Sequence, residues 1–404
     1  VASSIASTAA VGGRWSGRAA GIVALCFAIN MVDGMDVTIL SYIAPALGAD
    51  WAVPADALGI VFSAGLLGMA LGGIFVAPFA DRFGRRPLIL TALVLMSGGM
   101  IASGFVGSVV ELVATRVVVG VGIGTVLAAM AALAAEVAPP AQQNLAVGAV
   151  QAGYPLAAVF TGFAVAAWLP ATGWQPLLLA AGLATLFMLP LAWLALPRAD
   201  AVAGAARVPP LAQVAALFGP ELARKTLLLF TAIFMGLMVL YIIVSWITNL
   251  AIAAGLSQTN GIYAGALYNF GAFVGTMLMS VLSVRVALGR LIPALFAAAI
   301  VALLAFGSIA MPVALTLAVA FVIGITLQGG YNGVWPLAAQ VYPPERRATG
   351  IGWAVGIGRS GAVLGPAAAG WLLASGTPLP ILFALFCAPL VIAALAVAAI
   401  GRRL

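Results

Sequence analysis

The chain contains no histidine and only two cysteines, and just 7% of its 404 residues are charged. Without histidine there is no imidazole proton relay, no imidazole substrate contact and no zinc cluster of the usual N/S type. Cys26 and Cys387 both fall in apolar runs and read as reduced packing residues. No nucleophile–base constellation is visible, so neither an enzyme nor a cofactor or metal site is expected. The scarcity of charge accompanies 64% hydrophobic residues and a mean hydropathy of +1.21. That balance excludes a soluble globular domain. Val1 to Arg14 carries neither the charged start nor the cleavage site of a signal peptide.

Hydrophobic runs long enough to cross a bilayer recur along the chain. They lie near 18–46, 57–80, 87–106, 109–137, 144–168 and 175–196, then 226–251, 259–283, 290–310, 313–341, 347–373 and 378–400. Helices are expected, because backbone in lipid must satisfy its own hydrogen bonds. The fold class is therefore an all-α membrane protein of twelve transmembrane helices.

The 17 Lys and Arg residues orient it. Arg14 and Arg18, Arg82, Arg85 and Arg86, Arg198 to Lys225, Arg285 and Arg290, Arg346 and Arg347, and Arg402 and Arg403 all fall on one side of this map. The positive-inside rule makes that side cytoplasmic, with both termini inside. The opposite loops hold Asp50, Asp56 and Glu111 but no cation. The net charge of +7 is thus spread over short loops and argues against a nucleic-acid partner; the lipid bilayer is the expected surround, and a monomer the expected state.

The chain also repeats itself. AAEVAPPAQQNLAVG (134–148) aligns without a gap to AAQVYPPERRATGIG (338–352), an offset of 204 residues, and DRFGRR (81–86) falls on RVALGR (285–290) at the same offset. Five segments follow: a cytoplasmic N-terminal segment (1–17), a six-helix bundle (18–196), a cytoplasmic connector (197–225), a second six-helix bundle (226–400) and a cytoplasmic tail (401–404). Parallel duplications of this build hold substrate near the midplane between the halves. Within the connector, RVPPLAQVAALFGPELARK (207–225) reads as a short surface helix or a flexible tether.

Four charges fall inside the spans: Asp33 and Asp36 in FAINMVDGMDVTILSY (27–42), Arg116 and Arg359. Each costs about 3 kcal/mol at a helix centre, so a polar pathway or an ion pair inside the bundle is expected. Asp33 and Asp36 are one turn apart on one face, about 22 Å of helix beyond Arg18. Gly34 between them admits a neighbouring helix or a ligand. Two close carboxylates in a poorly solvated site resist double ionisation, which suits them to proton coupling, against a purely structural cap or pair. The planar guanidinium of Arg359 suits capture of a substrate carboxylate, or a standing salt bridge to Asp33 or Asp36.

The loop ADRFGRRP (80–87) resembles the signature loop of the major facilitator superfamily, and Arg116 with Gly120 in TRVVVGVGIG (115–124) resembles its fourth-helix motif. DGMD (33–36) and YPPERRATGIGWAVGIGRSGAVLGP (342–366) resemble the aromatic acid:proton symporters, which import benzoate-like carboxylates into bacteria. There are departures: Ala77 stands where the signature loop begins with Gly, and Gln142 and Gln143 replace basic residues expected after Pro140. The resemblance implies two pseudo-symmetric six-helix bundles in the bacterial inner membrane and a role in coupling for Arg116, which lies close to Glu111 by helical spacing; a structural ion pair with a neighbouring span is the alternative. It also implies a cytoplasmic latch among Asp81, Arg82, Arg85, Glu136, Glu345 and Arg346, where topology alone would also place arginines.

Polar aromatics complete the candidates for substrate binding: Tyr154, Tyr268 with Asn269, and above all Gln328, Tyr331 and Asn332 on one face of the tenth span. Rings could stack on an aromatic substrate while an amide reads its ring substituents. The glycines of GVGIG (120–124) and GIGRSG (356–361) lie in apolar helices and serve close contact, not phosphate binding. Protons are the only coupling agent expected, and a small organic anion, an aromatic acid by resemblance, the solute. The rivals are an exporter, a porter for a neutral, sugar-like solute, and a non-transporting sensor on the same fold.

Overall fold

The computed structural model describes residues 15–139, 142–197, 216–220 and 222–401. Among them are twelve long helices and no strand. They are α1 (Gly17–Asp50), α2 (Ala55–Phe79), α3 (Arg85–Ser103), α4 (Val109–Val137), α5 (Gln143–Gln151 and Gly153–Thr172) and α6 (Gln175–Ala195). The second set is α7 (Ala223–Ala253), α8 (Gln258–Leu282), α9 (Leu288–Ser308), α10 (Val313–Val341), α11 (Pro344–Ala374) and α12 (Leu379–Gly401). Each end lies within four residues of the span read from hydropathy. Eleven are long and apolar enough to cross a membrane; the twelfth, α11, opens with Glu345, Arg346 and Arg347 and carries Arg359.

Local chemistry sets several boundaries. Ser108 and Ser257 cap α4 and α8, each accepting a backbone N–H three residues on, from Glu111 and Asn260 at 3.3 Å. Gly84, with φ +86°, turns the chain between α2 and α3, a conformation that a Cβ disfavours. Helix α2 loosens at its end into a π-turn over Gly72–Val76 and a 3-10 turn over Ala77–Phe79. Pro78 lacks an N–H and crowds the preceding turn, which accounts for the break in register. Of the expected connector helix, the described part is a 3-10 turn at Ala216–Phe218; residues 207–215 lie outside the described residues.

By contact the chain forms two compact units, one containing Ala64–Gly204 with the chain up to Ile43, the other containing Ala205–Leu404 with Ala44–Ser63. In lipid, helices gain little from apolar burial against one another, so close backbone packing and hydrogen bonds hold each unit. In the first, Gly68 and Gly72 of α2 meet the backbone of Val117 and Val121 on α4, and Gly120 and Gly124 return the contact to Gly65 and Met69. Between α1 and α5, Gly34 lies against the backbone of Tyr154. The same interface carries hydrogen bonds from Asn30 Nδ2 to the Val150 carbonyl (2.7 Å) and from Tyr42 Oη to the Ala158 carbonyl (2.9 Å).

The second unit repeats the device. Gly271 and Gly275 of α8 meet Phe321 and Ile325 of α10, and Gly324 returns the contact to Tyr268. Gly120 and Gly324 are separated by the 204 residues of the sequence repeat. Gly361 and Gly365 of α11 meet Phe234 and Met238 of α7. The start of α2 belongs here as well: Ser63 Oγ donates to the Val363 carbonyl at 2.6 Å, and Gly59 lies against Pro366.

Candidate functional site

Inside the first unit, α1, α3, α4 and α6 converge on a polar cluster in apolar surroundings. Asp33, Asp36 and Arg116 are all buried, at 0%, 2% and 3% exposure. The charges of Asp33 and Arg116 both act on Asp36. Thr185 Oγ1 on α6 lies 3.5 Å from Asp36 Oδ2, at the limit of a hydrogen bond. Arg116 Nη2 donates to Ser103 Oγ at 2.5 Å and contacts Met100 Sδ at 3.0 Å, both on α3. Ser103 in turn bonds the Gly99 carbonyl and Thr115. Among the described residues, Asp36 Oδ1 and Arg116 Nε are buried with no hydrogen-bond partner. Incomplete pairing of this kind is costly in a low dielectric and marks a site where protonation or partners can change.

Glu111, five residues before Arg116, is engaged at the start of α4: its carboxylate accepts from the Gly107 N–H at 2.8 Å and its own N–H is capped by Ser108. Arg116 reaches inward to α1 and α3 instead. It is buried in the bundle beside an acid. Likewise, the neighbour admitted by Gly34 is a helix, since the backbone of Tyr154 occupies that space.

Inside the second unit, Arg359 on α11 is half-buried. Its charge acts on Tyr331 of α10, which also lies within electrostatic reach of the Tyr241 phenol on α7. Tyr331 packs edge-on against Trp335 with ring centroids 5.7 Å apart, and beside Gly236 of α7. Tyr331 on α10 is thus within electrostatic reach of both Arg359 on α11 and Tyr241 on α7. On the same helix as Tyr331, Gln328 and Asn332 hydrogen-bond to each other and, through Asn332, to Thr276 on α8. Tyr268 is fully buried at the α8–α10 contact, and Asn269 donates to the Gly265 carbonyl of its own helix at 2.9 Å.

At the loop ends, Arg85 and Glu136 form an ion pair between α3 and α4. Arg86 donates to the Trp193 carbonyl of α6 at 2.5 Å and lies 4.9 Å from the centre of its indole ring. The side chains of Asp81, Arg82 and Glu345 lie outside the described residues; Arg346 is exposed. The expected latch is therefore described at one pair. Reading the sequence missed Ser103, Met100, Thr185, Thr276 and Trp193, since a lone hydroxyl, thioether or indole in an apolar run carries no signal without its partner.

Two six-helix sets related by a parallel repeat, each with a polar cluster buried among apolar helices, define a secondary transporter. The Major Facilitator Superfamily model matches residues 25–354. The gallate transporter of Pseudomonas putida is 32% identical, covering 94% of this chain and 91% of its own. The 3-(3-hydroxy-phenyl)propionate transporter of Escherichia coli is 32% identical, covering 88% of this chain and 87% of its own. A solved D-xylose-proton symporter superposes with a TM-score of 0.74 at 18% identity, covering 93% and 96% of the two chains, a likeness of fold alone. The chain belongs to the Major Facilitator Superfamily, and within it to the aromatic acid:proton symporters. It is a multi-pass membrane transporter, not an enzyme.

Proposed function

We propose that this protein imports a small aromatic carboxylate with protons across the bacterial inner membrane, both termini facing the cytoplasm. The observation that carries the reading is the half-buried guanidinium of Arg359 on α11, within electrostatic reach of Tyr331 on α10. An always-charged planar fork in an apolar bundle favours a carboxylate, and flanking rings favour an aromatic body. Transporters for gallate and hydroxyphenylpropionate, similar to this chain over most of its length, support the same solute class.

Asp36 is the proton site in this reading and Arg116 its partner. With Asp36 ionised, the two charges compensate each other inside the first unit. Protonation removes the negative member, frees Arg116 and lowers the fixed negative charge that an incoming anion meets. Asp33, one turn away, resists simultaneous ionisation of the pair. Alternating access then carries proton and anion together. If proton uptake at least matches the anion's charge, the membrane potential does not oppose import, and each further proton contributes about 2.3 kcal/mol per 100 mV. The latch pair Arg85–Glu136 would bias the conformational equilibrium.

Uptake of labelled 4-hydroxybenzoate into proteoliposomes, with and without an inward proton gradient and beside labelled glucose, tests this. Gradient-dependent accumulation of the acid alone is expected. Uptake of glucose, or efflux of the acid against the gradient, would replace this reading with one of its rivals.

A further inference from the structure

A chain of hydrogen bonds between α8 and α10 has a direction. Thr276 donates its only hydroxyl proton to the Ala272 carbonyl at 2.8 Å. Its oxygen is left to accept, and it does so from Asn332 Nδ2 at 2.7 Å. That turns Asn332 Oδ1 the other way, where it accepts from Gln328 Nε2 at 3.2 Å. Gln328 therefore presents its carbonyl oxygen, Oε1, as the outward end of the chain. A glutamine free to rotate would show donor or acceptor equally; this one is set as an acceptor by a hydroxyl two residues along the relay.

Gln328 is half-buried and lies one helical turn before Tyr331, whose ring packs beside Gly236 of α7 and is within electrostatic reach of Arg359. We propose that Gln328 is a specificity-determining residue whose Oε1 accepts a hydrogen bond from a ring hydroxyl of the transported acid, and that Asn332 and Thr276 are positioning residues that hold its amide that way round. The inference rests on the reading of Arg359 as the carboxylate site. A phenol donates its proton to such an oxygen, an unsubstituted ring leaves it desolvated and unpaired, and a methoxy group offers only a second acceptor. Hydroxylated acids are thereby favoured over bare and methoxylated ones, because the cost falls on the amide oxygen that a bound ring covers and leaves without a partner.

The test is uptake of 3- and 4-hydroxybenzoate, benzoate and 4-methoxybenzoate by the reconstituted full chain, comparing wild type with Gln328→Met and Thr276→Val. The better hydroxybenzoate should show the lower KM in the wild type, and Gln328→Met should shrink that preference over benzoate about tenfold, the worth of one hydrogen bond. Thr276→Val cannot accept from Asn332, so the amides are released to turn; preference for the hydroxyl should weaken and relative uptake of 4-methoxybenzoate should rise. Variants that transport these acids with preferences within about twofold of wild type overturn this inference alone. A wild type that transports none of them overturns the functional reading, and this inference with it.

Discussion

Asp36 on α1 and Arg116 on α4 are both buried in the first six-helix unit, and each lies within electrostatic reach of the other. Eighty residues of sequence separate them, and no local spacing relates them. The pair accounts for two of the four charges that the apolar spans carry. It also makes each residue's tolerance of mutation depend on the other.

Removing the cation alone should leave an uncompensated buried acid. Arg116→Gln should therefore lower stability by about 3–5 kcal/mol, the usual result of breaking one side of a buried pair. Asp36→Asn combined with Arg116→Gln should recover much of that loss. Thermal unfolding in detergent measures both; a double variant no more stable than Arg116→Gln contradicts the pairing.

The two acids should separate in function. Asp36→Asn should abolish accumulation against a gradient but retain exchange of labelled for unlabelled substrate, because exchange needs no net proton movement. Asp33→Asn should impair accumulation less, since Arg116 acts on Asp36. The measurement is counterflow beside gradient-driven uptake in the same vesicles. Loss of both activities in Asp36→Asn would make the residue structural.

Position 34 should tolerate no side chain. A Cβ there would sit 2.8 Å from Tyr154 Cα, a backbone that cannot step aside as a flexible side chain would. Gly34→Ala should destabilise by about 1–3 kcal/mol, as overpacking does. Gly21→Ala on the same helix meets nothing within 4 Å and should be neutral or stabilising by about 0.5–1 kcal/mol. Comparing the two melting temperatures controls for helix propensity.

The Arg85–Glu136 pair is partly exposed, with side chains 24% and 45% accessible. Its contribution to stability should be at most about 1 kcal/mol, so Glu136→Gln should melt near wild type. Uptake rates should change nonetheless, and the exchange Arg85→Glu with Glu136→Arg should restore them in part. A Glu136→Gln variant with unaltered rates would leave the pair a topological charge only.

How much of this was legible beforehand differs by level. Helix positions followed from hydropathy because lipid permits little else, and the glycines of GVGIG did prove to be contact points, at Gly120 and Gly124. Asp33, Asp36, Arg116 and Arg359 stood out because charge in an apolar run is conspicuous. Their partners did not. Arg116 was read with a neighbouring span as one alternative, but Ser103 and Met100 on α3 could not be named, because helical spacing reports neighbours on one helix only. On α10, spacing put Gln328 and Asn332 within reach of each other, but the partner of Asn332 on α8 depends on which helix flanks α10. The π-turn at Gly72–Val76 left no mark beyond Pro78.

The most direct test of proton coupling is the pH of a weakly buffered medium around proteoliposomes with no imposed gradient. Adding 4-hydroxybenzoate, ionised at neutral pH, should alkalinise the medium as protons enter with it, and Asp36→Asn should abolish the signal. Entry of the labelled acid at the wild-type rate with no change in external pH would contradict the account.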